Sequence, residues 1–102
     1  MIQTIEMIVR NGLTQPIKAL IVYDKNLCYL NDTKYEVSDS WMEDVIQTIC
    51  LWQPEYGFDG NIDSEEFLVT VTSTDGKESF HGKGVFPYNY QTLKELLGDL
   101  DG

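Results

Sequence analysis

The stretch that decides the fold is FLVTVTSTDGKESFHGKG, residues 67–84, in which two β-prone runs flank a turn signal. Asp75-Gly76 is a pair favoured in two-residue type I′ turns, so the stretch predicts a β-hairpin. One register then separates an apolar face from a mostly polar face. Its cross-strand pairs are Val71 with Phe80, Val69 with Gly82, Phe67 with Gly84 and Thr70 with His81. The two glycines leave room for a bulky side chain, most simply a helix aromatic.

The residues before this hairpin predict more strands. Ile5, Met7 and Val9 alternate with other residues, and Asn11-Gly12 then supplies a turn signal. Residues 17–23 (IKALIVY) are apolar at nearly every position, which predicts a central strand covered on both faces. Residues 27–30 (LCYL) and 34–37 (KYEV) predict a small hairpin at the sheet edge, around Asn31-Asp32.

Two amphipathic segments predict helices. Residues 40–53 begin with Ser40 and Glu43 at capping-box spacing and end just before Pro54. The second helix follows Asn89, a suitable N-cap. Its apolar face consists of Tyr90, Leu93, Leu96, Leu97 and Leu100. The sequence therefore predicts one α+β domain spanning residues 1–102, with an antiparallel sheet of about five to six strands in the order ββ(ββ)αββα. Both helices are expected on one face, with the other face partly solvated.

The net charge of −10 arises in the middle of the chain. Between Lys34 and Lys77 lie ten carboxylates and no base, whereas the rest of the chain has seven of each. A field of this sign repels nucleic acid and anionic membranes and attracts basic proteins. Five of the ten acids, Glu55, Asp59, Asp63, Glu65 and Glu66, occupy residues 54–66, which predict a loop. The helix start and the turn account for most of the others.

Residues 59–67 also match the second half of an EF-hand calcium loop. Gly60 takes the turn position, and Asp59, Asp63 and Glu66 take ligand positions. The first half does not match, because Glu55 and Gly57 stand where two more ligands are needed. The pattern favours an acidic surface loop over a calcium site.

No pattern indicates catalysis. The chain has one histidine, His81, and none of the common nucleophile, zinc or phosphate-binding motifs. A site assembled in space from distant residues remains the alternative. Cys28 and Cys50 lie in no ligand-type spacing, and the chain has no signal-peptide pattern. We therefore expect reduced, buried cysteines and a cytoplasmic location.

The residues from the hairpin to the last helix resemble a recurrent pattern in small uncharacterised proteins of Gram-positive bacteria. There a strand-turn-strand precedes G-x-x-[AVF]-[YF]-P-x-N-[FY] and a Leu-rich helix. The matching residues are Gly82 or Gly84, Phe86, Pro87, Asn89, Tyr90, Leu93, Leu96 and Leu97. The resemblance covers about a third of the chain and implies a similar fold, with no activity.

These observations favour a non-enzymatic, acidic protein-interaction domain that binds a basic, nucleic-acid-handling protein. Inhibitors, immunity proteins and DNA mimics, whose carboxylates replace phosphates, belong to this class. The expected binding residues are Glu55, Tyr56, Phe58, Asp59, Asp63, Glu65 and Glu66. There are three alternatives. The chain could be a calcium-binding module that uses residues 55–66, or an accessory subunit of a larger assembly. Its acidity could also serve solubility alone. No cofactor, direct nucleic-acid contact or membrane contact is expected.

Overall fold

A computed structural model describes residues 2–11, 15–60 and 63–101. Gly12 of the predicted first turn, and Asn61 and Ile62 of the EF-hand-like stretch, lie outside these ranges. The elements in chain order are β1 (Ile2–Arg10), β2 (Ile17–Val22), a 3₁₀ turn (Tyr23–Lys25), β3 (Leu27–Leu30), β4 (Thr33–Glu36), α1 (Asp39–Ile49), β5 (Glu55–Phe58), β6 (Glu66–Ser73), β7 (Gly76–Lys83) and α2 (Tyr90–Asp101).

The described strands form one seven-stranded sheet in the order β4-β3-β2-β1-β6-β7-β5. Every neighbouring pair is antiparallel except β5 and β7, which are parallel. The predicted α+β class is confirmed, but the prediction of an antiparallel sheet of five to six strands was wrong. The missed strand is β5, which lies inside the predicted loop and pairs with a partner more than 20 residues away. Its four residues, EYGF, show no alternation that would indicate a strand.

Both helices contribute to one core against one face of the sheet, as predicted. We call this the covered face; its buried strand residues are Ile5, Met7, Val9, Ala19, Ile21, Cys28, Leu30, Phe67, Val69 and Phe80. The helices and the segments beside them add Val37, Met42, Val45, Ile49, Trp52, Tyr90, Leu93 and Leu97. We call the opposite side, which presents Glu6, Ile8, Lys18, Leu20, Tyr29, Leu68 and His81, the open face.

Strand β2 lies in the interior of the sheet, but the prediction that both its faces are covered was wrong. Ala19 and Ile21 are buried on the covered face, whereas Lys18 is exposed and Leu20 is half-buried on the open face. A run of apolar residues alone does not distinguish a two-sided strand from one whose second face is left in solvent.

The two hairpins differ in their turns. The predicted β3–β4 hairpin at the sheet edge is confirmed, and Asn31 and Asp32 have φ of 47° and 73°, the positive values that a type I′ turn requires. In the β6–β7 hairpin, Ser73 pairs with Gly76, so the loop residues are Thr74 and Asp75 rather than the predicted Asp75-Gly76.

The predicted pairs of the β6–β7 hairpin were therefore wrong by two residues. The observed pairs are Val71 with Glu78, Val69 with Phe80, Phe67 with Gly82 and Leu68 with His81. Because side chains alternate with a period of two, this shift leaves each residue on its predicted face. The Ser73 hydroxyl organises the turn: it accepts from the Asp75 amide at 3.2 Å and donates to the Gly76 carbonyl at 3.3 Å.

The space beside Gly82 is filled from within the sheet rather than by a helix aromatic. A Cβ atom on Gly82 would lie 2.7 Å from the Phe67 ring and 2.9 Å from the Tyr56 Cβ. A methyl group does not fit at either distance, so Phe67 and Tyr56 pack directly on the Gly82 backbone. Glycine here allows β5 to approach β7 closely.

Helix α1 begins earlier than predicted. Its N-cap is Ser38, whose hydroxyl accepts from the Trp41 amide at 3.0 Å, so the capping box at Ser40 and Glu43 was wrong. Buried Val37 and Met42 flank this cap at the positions of a hydrophobic staple. The apolar residue before Ser38 thus favours it over Ser40.

Helix α1 also ends at Ile49, before the predicted residue 53, yet Trp52 is buried beyond its end. The Trp52 indole N–H donates to the Asn89 side-chain oxygen at 2.6 Å, and the Asn89 amide donates to the Thr48 carbonyl at 2.7 Å. Helix α2 starts directly after Asn89, as predicted. The Asn89 side chain, however, joins the end of α1 to the start of α2.

The two cysteines differ in burial. Cys28 is buried, and this burial raises the pKa of its thiol to about 11. Cys50 is exposed, so the prediction that both are buried was wrong for Cys50; both thiols are free. Neither helix in the described ranges is long and apolar enough to cross a membrane.

Candidate interaction surface

The strongest polar cluster on the open face is built around His81, which lies between two of the predicted binding residues. Its Nδ1 is 2.9 Å from Glu55 Oε1 on β5, and its Nε2 is 2.9 Å from Glu66 Oε2 on β6. The register brings them together, because Glu55 pairs with His81 and Leu68, two residues after Glu66, lies opposite His81. The predicted pairing of His81 with Thr70 was wrong. We call these three residues the His81 clamp.

The pKa shifts in the clamp follow from this geometry. Hydrogen bonds to Glu55 and then Glu66 raise the pKa of His81 above its ordinary value of 6.5. The hydrogen bond from His81 lowers the pKa of Glu66, against a smaller opposing effect of burial. A protonated imidazole donates from both nitrogens, so the charged form suits both carboxylates. The clamp therefore ties the edge strand β5 to β7 and β6.

The cavity beside the His81 clamp is small. The adjacent cavity has a volume of about 140 Å³ and is lined by Ile8, Arg10, Glu66, Leu68 and His81. Ligand pockets usually measure about 300–1,000 Å³. Since both imidazole nitrogens already have carboxylate partners, this geometry supports a structural role for His81.

Glu65 has a structural role that the sequence did not indicate. Its Oε2 accepts from the Tyr90 hydroxyl at 2.7 Å, and both of its oxygens lie 3.1 Å from Lys94 Nζ. Burial, followed by the bond to Glu65, raises the pKa of Tyr90. Glu65 thus attaches the start of β6 to α2.

Asp59 and Asp63 also interact within the chain. The Ser64 hydroxyl donates to Asp59 Oδ2 at 2.5 Å, and the Asp59 amide donates to the Lys83 carbonyl at 3.0 Å. Asp63 has a further interaction of its own. With Glu55, Glu65 and Glu66 held as described, the acids of residues 55–66 are mostly engaged in holding this part of the chain.

The predicted metal candidates point to different partners. Glu66 faces His81, whereas Asp59 bonds Ser64. Among the described residues, no group of three or more histidine, cysteine or acidic side chains is placed to hold a metal ion. The geometry of these residues gives the calcium hypothesis no support.

The two predicted aromatic binding residues differ in exposure. Tyr56 is half-buried against Phe67, and its hydroxyl accepts from the Gln53 amide at 2.8 Å. Phe58 is 59% exposed, and Lys83 Nζ lies 5.3 Å from its ring centroid. Of the two, only Phe58 has a ring that is mostly exposed to solvent.

Two other apolar side chains are more exposed than Phe58, and both lie near the junction of the helices. Leu51 follows α1 and is 74% exposed, and Tyr88 precedes α2 and is 88% exposed. Their chain neighbours Trp52 and Asn89 are hydrogen-bonded to each other, which brings the two segments to one end of the helical layer. Aromatic residues are enriched at protein interfaces relative to the rest of the surface.

Charged side chains are sorted between the two sides of the molecule. Five of the seven bases are at open-face positions, together with only four of the seventeen acids. The bases are Arg10, Lys18, Lys34, Lys77 and Lys83, and the acids are Glu6, Glu36, Glu55 and Glu66.

The helices carry the opposite balance. We call their outward-facing charged residues the helical side; its acids are Asp39, Glu43, Asp44, Glu95 and Asp99. Lys94 is its only base among the described residues, and Glu65 already neutralises it. A groove of about 320 Å³ between the helices is lined by residues that include Asp44 and Leu96.

No protein-family model, curated protein or solved structure matches this chain. The resemblance to small Gram-positive proteins therefore stays a prediction. Several residues of that pattern lie in the aromatic core: Phe86 stacks on Tyr90 at 4.5 Å, and Tyr90 lies 5.1 Å from Phe67. These contacts give the pattern a packing role in this chain.

Sequence reasoning missed the sorting of charge because it depends on long-range pairing. The base-free run from residue 35 to 76 contributes to both sides of the molecule: Glu36, Glu55 and Glu66 reach the open face, while Glu43 and Asp44 lie on α1. Strand alternation could have placed Arg10, Lys18 and Lys83 on one face, since each follows or precedes an identified apolar position.

Proposed function

We propose that this chain is a non-enzymatic protein-interaction domain whose helical side binds a basic protein. The sorting of charge supports the proposal most directly. The helical side as defined above has five acids and one base, which Glu65 already neutralises, whereas most bases lie on the opposite face. A surface whose charges are nearly all negative produces an electrostatic field that steers a basic partner toward it. A nucleic-acid-handling protein is the finer proposal, because such proteins present the basic surfaces that carboxylates can occupy in place of phosphates.

The apolar side chains at the end of the helical layer support the same proposal. Charge contributes mainly to association rate and specificity, and buried apolar or aromatic contacts contribute much of the affinity. Leu51 and Tyr88 supply exposed apolar area next to the acidic helices. The proposed site thus moves from residues 55–66 to the helices and their junction.

The experiment uses two double variants with the same change in net charge. Asp44→Lys with Glu95→Lys reverses the helical side, and Glu6→Lys with Glu36→Lys is the matched control on the open face. Proteins captured from the host by the wild-type chain are identified, and the dissociation constant of the purified partner is measured at low and high salt. We expect a basic partner whose affinity falls at least about ten-fold for the helical variant, mainly through slower association.

Two results would overturn the proposal. One is a captured partner that is not basic. The other is an equal loss of affinity in both double variants, since that would reflect total charge rather than a specific side.

A further inference from the structure

Strand β4 forms one edge of the sheet, and its pairing is regular. Its four residues pair with β3 in one unbroken register, whereas β5 at the opposite edge has a register shift and Gly57 at φ 90°. Such irregularities protect an edge strand from pairing with another chain. The chain that leaves β4 stays beside β3, because the Asn26 side chain donates to the Val37 carbonyl at 3.2 Å and to Asp39 Oδ1 at 2.7 Å. In the described part of the chain, no strand lies on the outer side of β4.

The backbone groups of Lys34 and Glu36 point away from the sheet. The Val37 amide donates to the Asn26 carbonyl at 2.9 Å, and hydrogen-bonded positions alternate along an antiparallel pair. Tyr35, two positions before Val37, therefore directs its amide and carbonyl toward β3. Lys34 and Glu36 leave two N–H and two C=O groups on the outer edge. Both side chains are exposed, and neither forms an ion pair with another described residue.

The charges on this edge are complementary to those of a second copy of the chain. If two β4 strands pair antiparallel about Tyr35, Lys34 of each copy lies opposite Glu36 of the other. This register forms four backbone hydrogen bonds and places two opposite charges about 5 Å apart at Cβ on each side of Tyr35. The next registers in either direction place Lys34 opposite Lys34, or Glu36 opposite Glu36. Like charges directly opposite each other are destabilising, so one register satisfies both the backbone and the charges.

We propose that β4 pairs with β4 of a second copy, which gives a two-fold symmetric dimer whose sheet is continuous across both copies. The two-fold axis passes through the sheet at Tyr35, so the interface is self-complementary. The contact is one short strand on each copy, far smaller than the roughly 1,200–2,000 Å² that stable complexes bury. The dimer is therefore weak, with a dissociation constant of about 0.1 mM or higher. The helical side takes no part in it.

Repulsion between the copies sets the conditions under which the dimer forms. Each copy has a net charge of −10, which opposes association. At physiological ionic strength the Debye length is about 8 Å, so charges farther apart are largely screened. The opposed Lys34 and Glu36 side chains still interact, because their Cβ atoms are only about 5 Å apart. We therefore expect the dimer at physiological salt and a weaker dimer at low salt.

The test exchanges the charges of Lys34 and Glu36. Analytical ultracentrifugation of the wild-type chain at physiological salt, from about 10 µM to about 1 mM, should show a monomer–dimer equilibrium. Lys34→Glu and Glu36→Lys should each weaken the dimer at least about ten-fold, because each replaces two opposite-charge pairs with two like-charge pairs. The double variant has the wild-type net charge and should dimerise as the wild type does. An equimolar mixture of the two single variants should form a heterodimer of similar affinity.

Two controls separate this pairing from a general effect of charge. Lys77→Glu, on β7 near the opposite edge of the sheet, makes the same change in net charge as Lys34→Glu and should leave the dimer nearly unchanged. Glu36→Lys makes the net charge less negative, so general repulsion alone would predict a tighter dimer rather than a weaker one. NMR amide shifts that change with protein concentration should fall on β4.

Three results would overturn the proposal. A wild-type chain that stays monomeric at about 1 mM would assign the edge to a different chain or to none. A double variant that dimerises no better than the single variants would show that the charges do not face each other. Concentration-dependent shifts outside β4 would place the contact elsewhere. The proposed function is tested separately, because partner binding is measured at low micromolar concentrations, where the chain is a monomer.

Discussion

The two faces of the sheet use side chains in different ways. On the covered face, Phe67 is fully buried, and its ring lies within 5.1–6.0 Å of the rings of Trp52, Tyr56, Phe86 and Tyr90. On the open face, the next residue, Leu68, is half-buried among Ile8, Arg10 and His81. Close packing of apolar side chains holds the covered face together, whereas the open face carries polar and charged side chains, including the ion pairs of His81. Burial of shape-matched side chains on the covered face supplies most of the stability.

The largest expected effect separates these neighbouring residues. Phe67→Ala should lower the free energy of unfolding by about 3–5 kcal/mol, because it empties the centre of the aromatic cluster. Leu68→Ala should cost only about 1 kcal/mol, because the half-buried Leu68 side chain removes less apolar area from water in the folded state. Urea unfolding followed by tryptophan fluorescence measures both values. Equal losses would show that Leu68 is as well packed as Phe67, and would contradict the difference in burial between the two faces.

The covered face was largely predictable, because it depends on local periodicity. The alternation of Ile5, Met7 and Val9 and the apolar spacing of both helices indicated which residues face the core. The structure buries those three strand residues, and the predicted helix residues are buried or partly buried against the same core. Even the wrong hairpin register preserved the faces, because it was displaced by two residues. The error at the start of α1 reflects competing N-caps, because Ser38 and Ser40 are equally good by residue type.

The open face and the candidate surface were less predictable, because they depend on pairing over long separations. β5 joins β7 across 26 positions from Glu55 to His81, and no local pattern in EYGF indicates that pairing. As long as β5 is not recognised as a strand, the acids of residues 55–66 have no structural role, and the segment is interpreted as a binding loop. Their roles with His81, Tyr90 and Lys94 become visible only once the strands are paired.

A smaller expected effect concerns the His81 clamp, where the open face contributes to stability through charge. The pKa of His81 is raised in the folded state, so its contribution is complete below its ordinary pKa of 6.5 and is lost as pH rises through the folded-state value. The pKa of Glu66 is lowered, so its contribution is present above its ordinary 4.5 and is lost as pH falls through the folded-state value. The clamp is therefore strongest between these two ordinary values.

His81→Gln should remove the decline in stability on the alkaline side of pH 6.5, worth about 0.2–1 kcal/mol as for other solvent-exposed ion pairs. Thermal unfolding at a series of pH values measures the profile. Glu55→Gln should remove only part of the decline, because the bond to Glu66 remains. Ser79→Ala, two residues away on the same strand and face, is the control. A wild-type profile that persists in His81→Gln would assign the pH dependence to other groups.

The smallest expected effect is at Lys34, an open-face base that lies outside the His81 clamp. Lys34 is exposed on the edge strand β4, and no described carboxylate pairs with it. Lys34→Glu should therefore change the free energy of unfolding by less than about 0.5 kcal/mol. Any loss should shrink at high salt, because added negative charge on a chain of net −10 acts through screened repulsion. Urea unfolding at two salt concentrations measures this, with Lys25→Glu as the matched change in charge. A loss that exceeds that of Lys25→Glu and persists at high salt would give Lys34 a structural role.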